Sequence, residues 1–272
     1  MTKRSIVALI SAMFVMGVAL AAISYKFEGF HFLQLSRWVQ SRISGFRVPW
    51  SESDYYIPDS TAGHIHKPHA VRSFTWKEHP RGTIRMVVNN LGFREDIDTL
   101  TAKPGQTYRI LVTGDSHMDG VVYNSESFTN RLEALLELSY KSPQFKVLNG
   151  GAGYYGPHNY AGFLKKFLYL KPDMYVVVLY TGNDFLDGIT TAEIRHRAQI
   201  PKRPDGYYRA LEEAASYNAG AIGQALNQAY FFKTFPELET TAVDVAYEQI
   251  LDIARTCSSE RIAFIVVTLP TK

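Results

Sequence analysis

The sequence predicts a three-layer α/β/α fold, a parallel sheet with helices on both of its faces. Three observations carry that prediction. From Tyr108 onward, short apolar runs alternate with longer amphipathic stretches, the rhythm of βαβ units with right-handed crossovers. The first three runs are each followed by a turn rich in Gly, Asn or Asp, "GDSHMDG", "NGGAGYYG" and "TGND". The run "MYVVVLY" is apolar almost throughout, the composition of a strand covered on both faces.

Taken in order, "YRILVT" reads as a buried strand ended by Gly114, and "SFTNRLEALLELSY" as an amphipathic helix carrying Phe128, Leu132, Leu135, Leu136 and Leu138. "FKVLN" is a second strand, and "PHNYAGFLKKFLYL" a helix with Pro157 in its first turn, where proline's fixed φ is already helical. "MYVVVLY" is the third strand, "TAVDVAYEQILDIARTC" a further helix and "RIAFIVVTL" the fourth strand. The stretch at about 185–240, rich in Tyr, Phe and Ala and holding Pro201 and Pro204, reads as a helical insertion over the strand ends, a lid or a substrate wall. Upstream, residues 51–107 read as irregular, with Pro58, Pro68, Pro80 and Pro104 as breakers, apart from a strand at 83–88 and a turn at Asn89, Asn90 and Gly92. His64, His66 and His69 in "GHIHKPH" read as a solvated loop, not a metal site, because no helix or hairpin orients them toward one point.

Composition bounds the function. With 46% hydrophobic and 20% charged residues in 272, the chain can bury a full core and is not a disordered one. A net charge of +3 without a Lys/Arg run gives no field for nucleic acid. The single cysteine, Cys257, excludes a disulfide framework and a multi-cysteine metal site, and its helical position makes it a buried structural thiol. At the N-terminus Lys3 and Arg4 precede an apolar run with no charge until Lys26, long enough to cross a bilayer at roughly 20 residues. Ala19-Leu20-Ala21 resembles a signal-peptidase site, so residues 1–26 are a signal anchor or a signal peptide. The anchor is preferred because the run exceeds the usual h-region of about 7–15 residues. Either places the domain outside the cytoplasm, with membrane contact through residues 5–25, although Lys26, Arg37, Arg42 and Arg47 follow the run and blur the charge asymmetry. In 27–50, Phe32, Leu35, Trp38 and Val39 recur at helical spacing, suited to a bilayer interface or to packing on the domain. The expected organisation is 1–26, a juxtamembrane segment at 27–82, and an α/β domain at 83–272.

Open parallel sheets bind ligands beyond the carboxyl ends of their strands, so the three strand-to-helix turns are the place to look. The first offers Ser116, exposed after a strand and fit to act as a nucleophile. The third offers the Asn183 amide, and the second a glycine N–H with no side chain in the way. Gly151, Gly153 and Gly156 also spell G-x-G-x-x-G, but a dinucleotide site is rejected. The loop follows the second strand, Tyr154 and Tyr155 crowd the pyrophosphate position, and no acid ends the next strand to hold a ribose. No nucleotide or other cofactor is therefore expected. Rival roles are simple capping for Ser116 and Asn183; Asp115 shapes its turn, and Asp119, Asp184 and Asp187 are expected to be solvated.

"GDSHMDG", "NGGAGYYG" and "GND" resemble, in order and spacing, the first three sequence blocks of the SGNH (GDS-type) hydrolase and acyltransferase superfamily, and "NNLGFRED" is similar to a segment preceding them in membrane-attached members. The resemblance spans roughly residues 84–272. It implies a flavodoxin-like sheet and an ester hydrolase or O-acyltransferase acting through an acyl-enzyme on Ser116. It implies oxyanion donation by Asn183 and by a second-turn glycine, Gly153 being preferred with Gly151 and Gly156 open. Tyr154 and His158 are the expected substrate-binding residues, and an acylated carbohydrate or lipid the expected substrate. The chain departs from the family pattern in one respect: no aspartate is followed three residues later by histidine. The expectation is that this Asp/His block lies beyond Lys272 in a longer protein; the alternative is a catalytically inactive SGNH-fold carbohydrate-binding or envelope-assembly protein. His117 is a poor base, since consecutive side chains diverge at a helix start.

Overall fold

In the computed structural model of the chain, the described residues are 55–77, 79–194, 199–217 and 223–271. The expected membrane segment 5–25 and the helical pattern within 27–50 lie outside them, and among the described residues no helix is long and apolar enough to cross a membrane. The described residues fall into two compact units, a short one of Lys202–Glu213 and a larger one of the remainder. In the short unit the Arg203 guanidinium lies 5.6 Å from the Tyr207 ring centroid and 5.9 Å from that of Tyr208. Apart from the helix Tyr207–Tyr217, most of which lies in the short unit, the elements described next belong to the larger one.

The segment read as irregular contains two antiparallel hairpins. β1 (Tyr56–Asp59) pairs with β2 (Gly63–His66), and β3 (Val71–Thr75) with β4 (Thr83–Val87). The boundary expected between 82 and 83 therefore falls inside a hairpin. The prolines did not break these strands: Pro58 sits within a two-stranded ribbon, whose outer edge needs no N–H from it. The β1–β2 turn is closed by Asp59, whose Oδ1 accepts the N–H of Thr61 at 2.9 Å and of Ala62 at 2.8 Å.

The regular part follows as expected: β5 (Thr107–Gly114), α1 (Ser116–Asp119), α2 (Phe128–Ser139), β6 (Gln144–Asn149), α3 (Pro157–Phe167), β7 (Met174–Tyr180), α4 (Asp184–Ile194), α5 (Tyr207–Tyr217), α6 (Gly223–Thr234), α7 (Glu237–Glu260) and β8 (Ala263–Leu269). The four strands form one sheet in the order β6-β5-β7-β8, parallel throughout. Alternation along the strands sorts the core into two sides. Leu111, Leu148, Tyr175 and Val177 pack with Phe163 and Phe167 of α3 and with Ile253 and Cys257 of α7. Ile110, Val112, Val147, Val176 and Val178 pack on the other side with Leu132 and Leu136 of α2. This is the three-layer arrangement.

The apolar stripe expected on α2 is narrower than its sequence pattern. Leu132 and Leu136, one turn apart, reach the sheet, whereas Phe128, Leu135 and Leu138 are exposed by 50%, 61% and 85%. On β8, Ile265 and Val267 pair in register with Val176 and Val178 and are themselves exposed. The helical insertion is present: Leu186 and Ile189 of α4 pack with Phe231 of α6, Phe235 and Ala242 of α7.

The β1–β2 hairpin is bound onto α3 by backbone contact. A Cβ on Gly162 would stand 2.0 Å from Thr61 O, so only glycine allows this approach. Around it Asn159 Nδ2 donates to Ala62 O at 2.8 Å and Lys166 Nζ to Asp59 Oδ2 at 2.6 Å. Gly162→Ala should push the hairpin off the helix and cost about 2 kcal/mol, within the usual range for overpacking. The check is the urea unfolding midpoint; an unchanged midpoint would mean that the contact carries no stability.

Candidate active site

The three turns converge because their strands run in register. Gly150 N–H donates to Val112 O at 2.8 Å and Ala152 N–H to Gly114 O at 3.1 Å, so the second turn is bonded to the end of β5. In the first turn Asp115 is the N-cap of α1, its Oδ1 accepting the His117 N–H at 2.9 Å, and Ser116 is the first helical residue. A Cβ on Gly114 would meet Met118 Cβ at 2.6 Å and Val178 O at 2.8 Å, which is why glycine ends this strand. The Ser116 N–H has no intrahelical acceptor, as expected of a first-turn amide. "NNLGFRED" braces the same turn from outside: Arg94, fully buried, donates from Nη1 to Gly120 O at 3.2 Å.

Ser116, Gly153 and Asn183 line one cleft of about 470 Å³. The hairpins contribute Tyr56, Arg72, Phe74, Trp76 and Met86 to its walls, and the helical insertion Leu186, Gln224 and Asn227. Its lining mixes aromatic and apolar side chains with as many polar and charged ones, more polar than a typical small-molecule pocket. Of the three glycines left open by sequence, Gly153 alone lines it. Gly151 N–H is given to Asn149 Oδ1 at 3.0 Å and Gly156 N–H to Asn159 Oδ1 at 3.0 Å. Tyr154 also lines the cleft, 60% exposed and held in the left-handed region at φ 66.

Asn183 gives one amide hydrogen to Asp187 Oδ2 at 2.7 Å, and Asp187 lines the cleft as well. Gln228 fastens this third turn to α6, accepting the Leu186 N–H at 3.0 Å and donating to Thr181 O at 2.7 Å.

His158 is not brought to this cleft. At the start of α3 its ring turns to α7, with Nδ1 2.9 Å from Gln249 Oε1, and it lines a separate hollow of about 240 Å³ with Asp244 and Glu248. Nearness to the second turn in sequence was misleading, since one helical residue is enough to rotate a side chain away. His117 faces Asp115 at 2.9 Å and lies against the Tyr180 ring, and among the described residues no histidine lines the Ser116 cleft.

The reading of the histidine-rich segment as a solvated loop is corrected. His64 and His66 are buried, at 3% and 1% exposure, because both lie on β2. His64 Nε2 is 2.8 Å from Gly153 O, and burial brings its pKa down to about 4, so it is a neutral imidazole donating from Nε2. His66 stacks on the Tyr56 ring, centroids 5.0 Å apart, with Nε2 3.3 Å from Asp119 Oδ1. His69 does remain exposed. Tyr56 accepts the Gly153 N–H at 3.1 Å and donates to Asp119 Oδ2 at 3.0 Å. Sequence reasoning missed Tyr56, because β1 and β2 hold only four residues each and carry no periodic signal.

The expected solvated carboxylates are also corrected. Asp119 is buried in the contacts just described. Asp184 is fully buried, its Oδ2 accepting Tyr160 OH at 2.9 Å and Tyr180 N–H at 2.8 Å. Burial, then the Asp115 carboxylate, raises its pKa to about 9. The same two causes raise Asp187 to about 7.

No protein-family model and no curated protein sequence matches the chain. Solved structures similar to it include the SGNH-hydrolase family esterase AlinE4, at 22% identity and a TM-score of 0.28, covering 60% of this chain and 77% of that one. A catalytic mutant of the acetylxylan esterase Axe2 from Geobacillus stearothermophilus is similar at 13% identity and a TM-score of 0.28, over 61% of this chain and 77% of that one. LAE5, an alpha/beta hydrolase from the metagenome of Lake Arreo, Spain, is similar at 13% identity and a TM-score of 0.27, over 61% and 78%.

Asp184 gives a pH-dependent stability with a definite sign. Its folded pKa lies above its unfolded one, so the folded state holds the extra proton and stability falls as pH rises from about 4 to about 9. Asp184→Asn keeps an acceptor for Tyr160 and Tyr180 but cannot ionise. Its urea midpoint should gain on wild type between pH 5 and pH 8; a parallel pH course in both proteins would show that Asp184 does not titrate in this way.

Proposed function

We propose that the chain carries the nucleophile and oxyanion half of a serine-dependent ester hydrolase or O-acyltransferase of the SGNH type. The observation that supports it is the meeting of Ser116, Gly153 and Asn183, from three successive turns, in one cleft. Ser116 Oγ adds to the ester carbonyl carbon, and the carbonyl oxygen becomes the oxyanion. The Ser116 N–H and the second hydrogen of the Asn183 amide, the one not given to Asp187, donate to it, joined by the Gly153 N–H. Collapse expels the alkoxide, which takes the proton that left Ser116, and water or a sugar hydroxyl then receives the acyl group from Ser116. That proton needs a base between the two steps. In the resembled family the Asp/His block supplies it, and these 272 residues contain no D-x-x-H.

Trp76 and Tyr154, exposed by 39% and 60% at the cleft, offer ring faces to a sugar or an acyl chain, in keeping with an acylated carbohydrate or lipid as substrate. The apolar run at 5–25 supports attachment to a membrane with the domain outside the cytoplasm. A second reading, a catalytically inactive carbohydrate-binding or envelope-assembly protein with the same fold, is favoured by the want of a histidine at the cleft among the described residues.

A fluorophosphonate applied to the intact protein, at its natural length and so with any Asp/His block it carries, separates the two readings. The serine enzyme reading predicts a single covalent adduct on Ser116 by peptide mass spectrometry, none on Ser116→Ala, and labelling of Asn183→Ala slower by about 100-fold, the usual effect of removing an oxyanion donor. A wild-type chain that stays unlabelled would favour the binding protein.

A further inference from the structure

The N–H assigned to the oxyanion is already engaged, and by a residue from far away in sequence. Tyr56 Oη accepts the Gly153 N–H at 3.1 Å, while His64 Nε2 donates to Gly153 O at 2.8 Å. One hairpin thus grips the same glycine on its N–H and on its carbonyl. The Tyr56 hydroxyl sends its own hydrogen to Asp119 Oδ2 at 3.0 Å, and Asp119 lies on α1, whose first residue is Ser116. The phenol therefore ties the glycine turn to the helix of the nucleophile. It is 3% exposed and still lines the cleft, as Gly153 does.

We infer that Tyr56 is a positioning residue for the reaction proposed above: its hydroxyl keeps the Gly153 N–H turned to the cleft and yields that N–H to the oxyanion when the tetrahedral adduct forms. The inference rests on the reading of Ser116 as nucleophile and Gly153 as oxyanion donor. A glycine peptide lacks the Cβ that would limit its rotation, and a donor that must reorient during the reaction gives the oxyanion little. The phenol supplies the orientation. It is also a weak enough acceptor to be displaced, because an N–H bond to an anionic oxygen is roughly twice as strong as one to a neutral oxygen. Burial, followed by the Asp119 charge, holds the phenol far above its usual pKa, so it stays neutral and does not compete with the oxyanion as an anion. The ring is fixed in turn by its stack against His66 and by the edge of Tyr55 at 5.1 Å.

The test uses the intact chain and Tyr56→Phe, which removes one oxygen and keeps the ring. Two quantities are read from fluorophosphonate labelling: the maximal rate at Ser116 and the reagent concentration at half that rate. Tyr56→Phe should lower the maximal rate by about 10-fold or more, with the half-saturating concentration within about 2-fold, since the reagent's binding surface is intact and its phosphoryl oxyanion has lost an oriented donor. The Gly153 amide proton, followed by ¹⁵N NMR, should exchange with solvent faster in the variant. Asp119→Ala, which leaves the phenol but removes its acceptor, should shift both readings in the same direction. A Tyr56→Phe chain that labels as fast as wild type, or faster, overturns the inference and leaves Ser116 as nucleophile untouched; the faster result would make Tyr56 a plug. A wild-type chain with no adduct on Ser116 overturns the enzyme reading and this inference together.

Discussion

The register of the parallel sheet is the constraint on which the site depends. Val112 pairs with Asn149 and Gly114 with Val178, so β6 ends two residues short of β5 and β7 two residues beyond it, all at the same edge of the sheet. Their three following turns therefore gather at that edge. A shift of one strand by a single residue would turn its side chains to the opposite face and carry its turn out of line with the others. The two backbone bonds from the second turn to β5, at Val112 O and Gly114 O, extend the ladder past its last strand pair and make the alignment part of the sheet. Ser116, Gly153 and Asn183 are gathered by that geometry before any side chain is considered.

Around this frame several buried polar side chains serve the turns. Tyr56, His64, His66 and Asp119 join the hairpin to the first and second turns, and Asp184, Tyr160 and Gln228 fasten the third. Buried polar groups are tolerated when their bonds are made, and here the bonds decide where the turn backbones lie. The carboxylates are the exception to easy accommodation. Asp115, Asp184 and Asp187 repel one another in poorly solvated surroundings, and the protein answers by holding Asp184, and in part Asp187, in the protonated form near neutral pH.

The sheet was legible because buried parallel strands are nearly continuous apolar runs, and "MYVVVLY" admits hardly any other reading. That Ser116 and Asn183 lie in one cleft was legible because strand ends fix where turns lie. The hairpins were not, apart from β4, which was read as a strand at 83–88. The other three strands hold four or five residues each, too few for a periodic signal, and Pro58 and Pro68 looked like breakers. With the hairpins hidden, His64 and His66 looked solvated and Tyr56 went unnoticed, because His64 and Tyr56 reach Gly153 across 89 and 97 residues of sequence and His66 reaches Asp119 on α1. His158 shows the opposite error, a residue placed by sequence neighbourhood that the first turn of α3 rotates toward Gln249.

The central claim is that Ser116, Gly153 and Asn183 form one oxyanion site. A crystal structure of the Ser116 phosphonate adduct tests it most directly. The account predicts the phosphoryl oxygen within hydrogen-bond distance of the Ser116 N–H, Asn183 Nδ2 and the Gly153 N–H, with the Tyr56 hydroxyl withdrawn from Gly153 and still bonded to Asp119. A phosphoryl oxygen pointing to solvent, with Gly153 still bonded to Tyr56 and the Asn183 amide held by Asp187 alone, would contradict it.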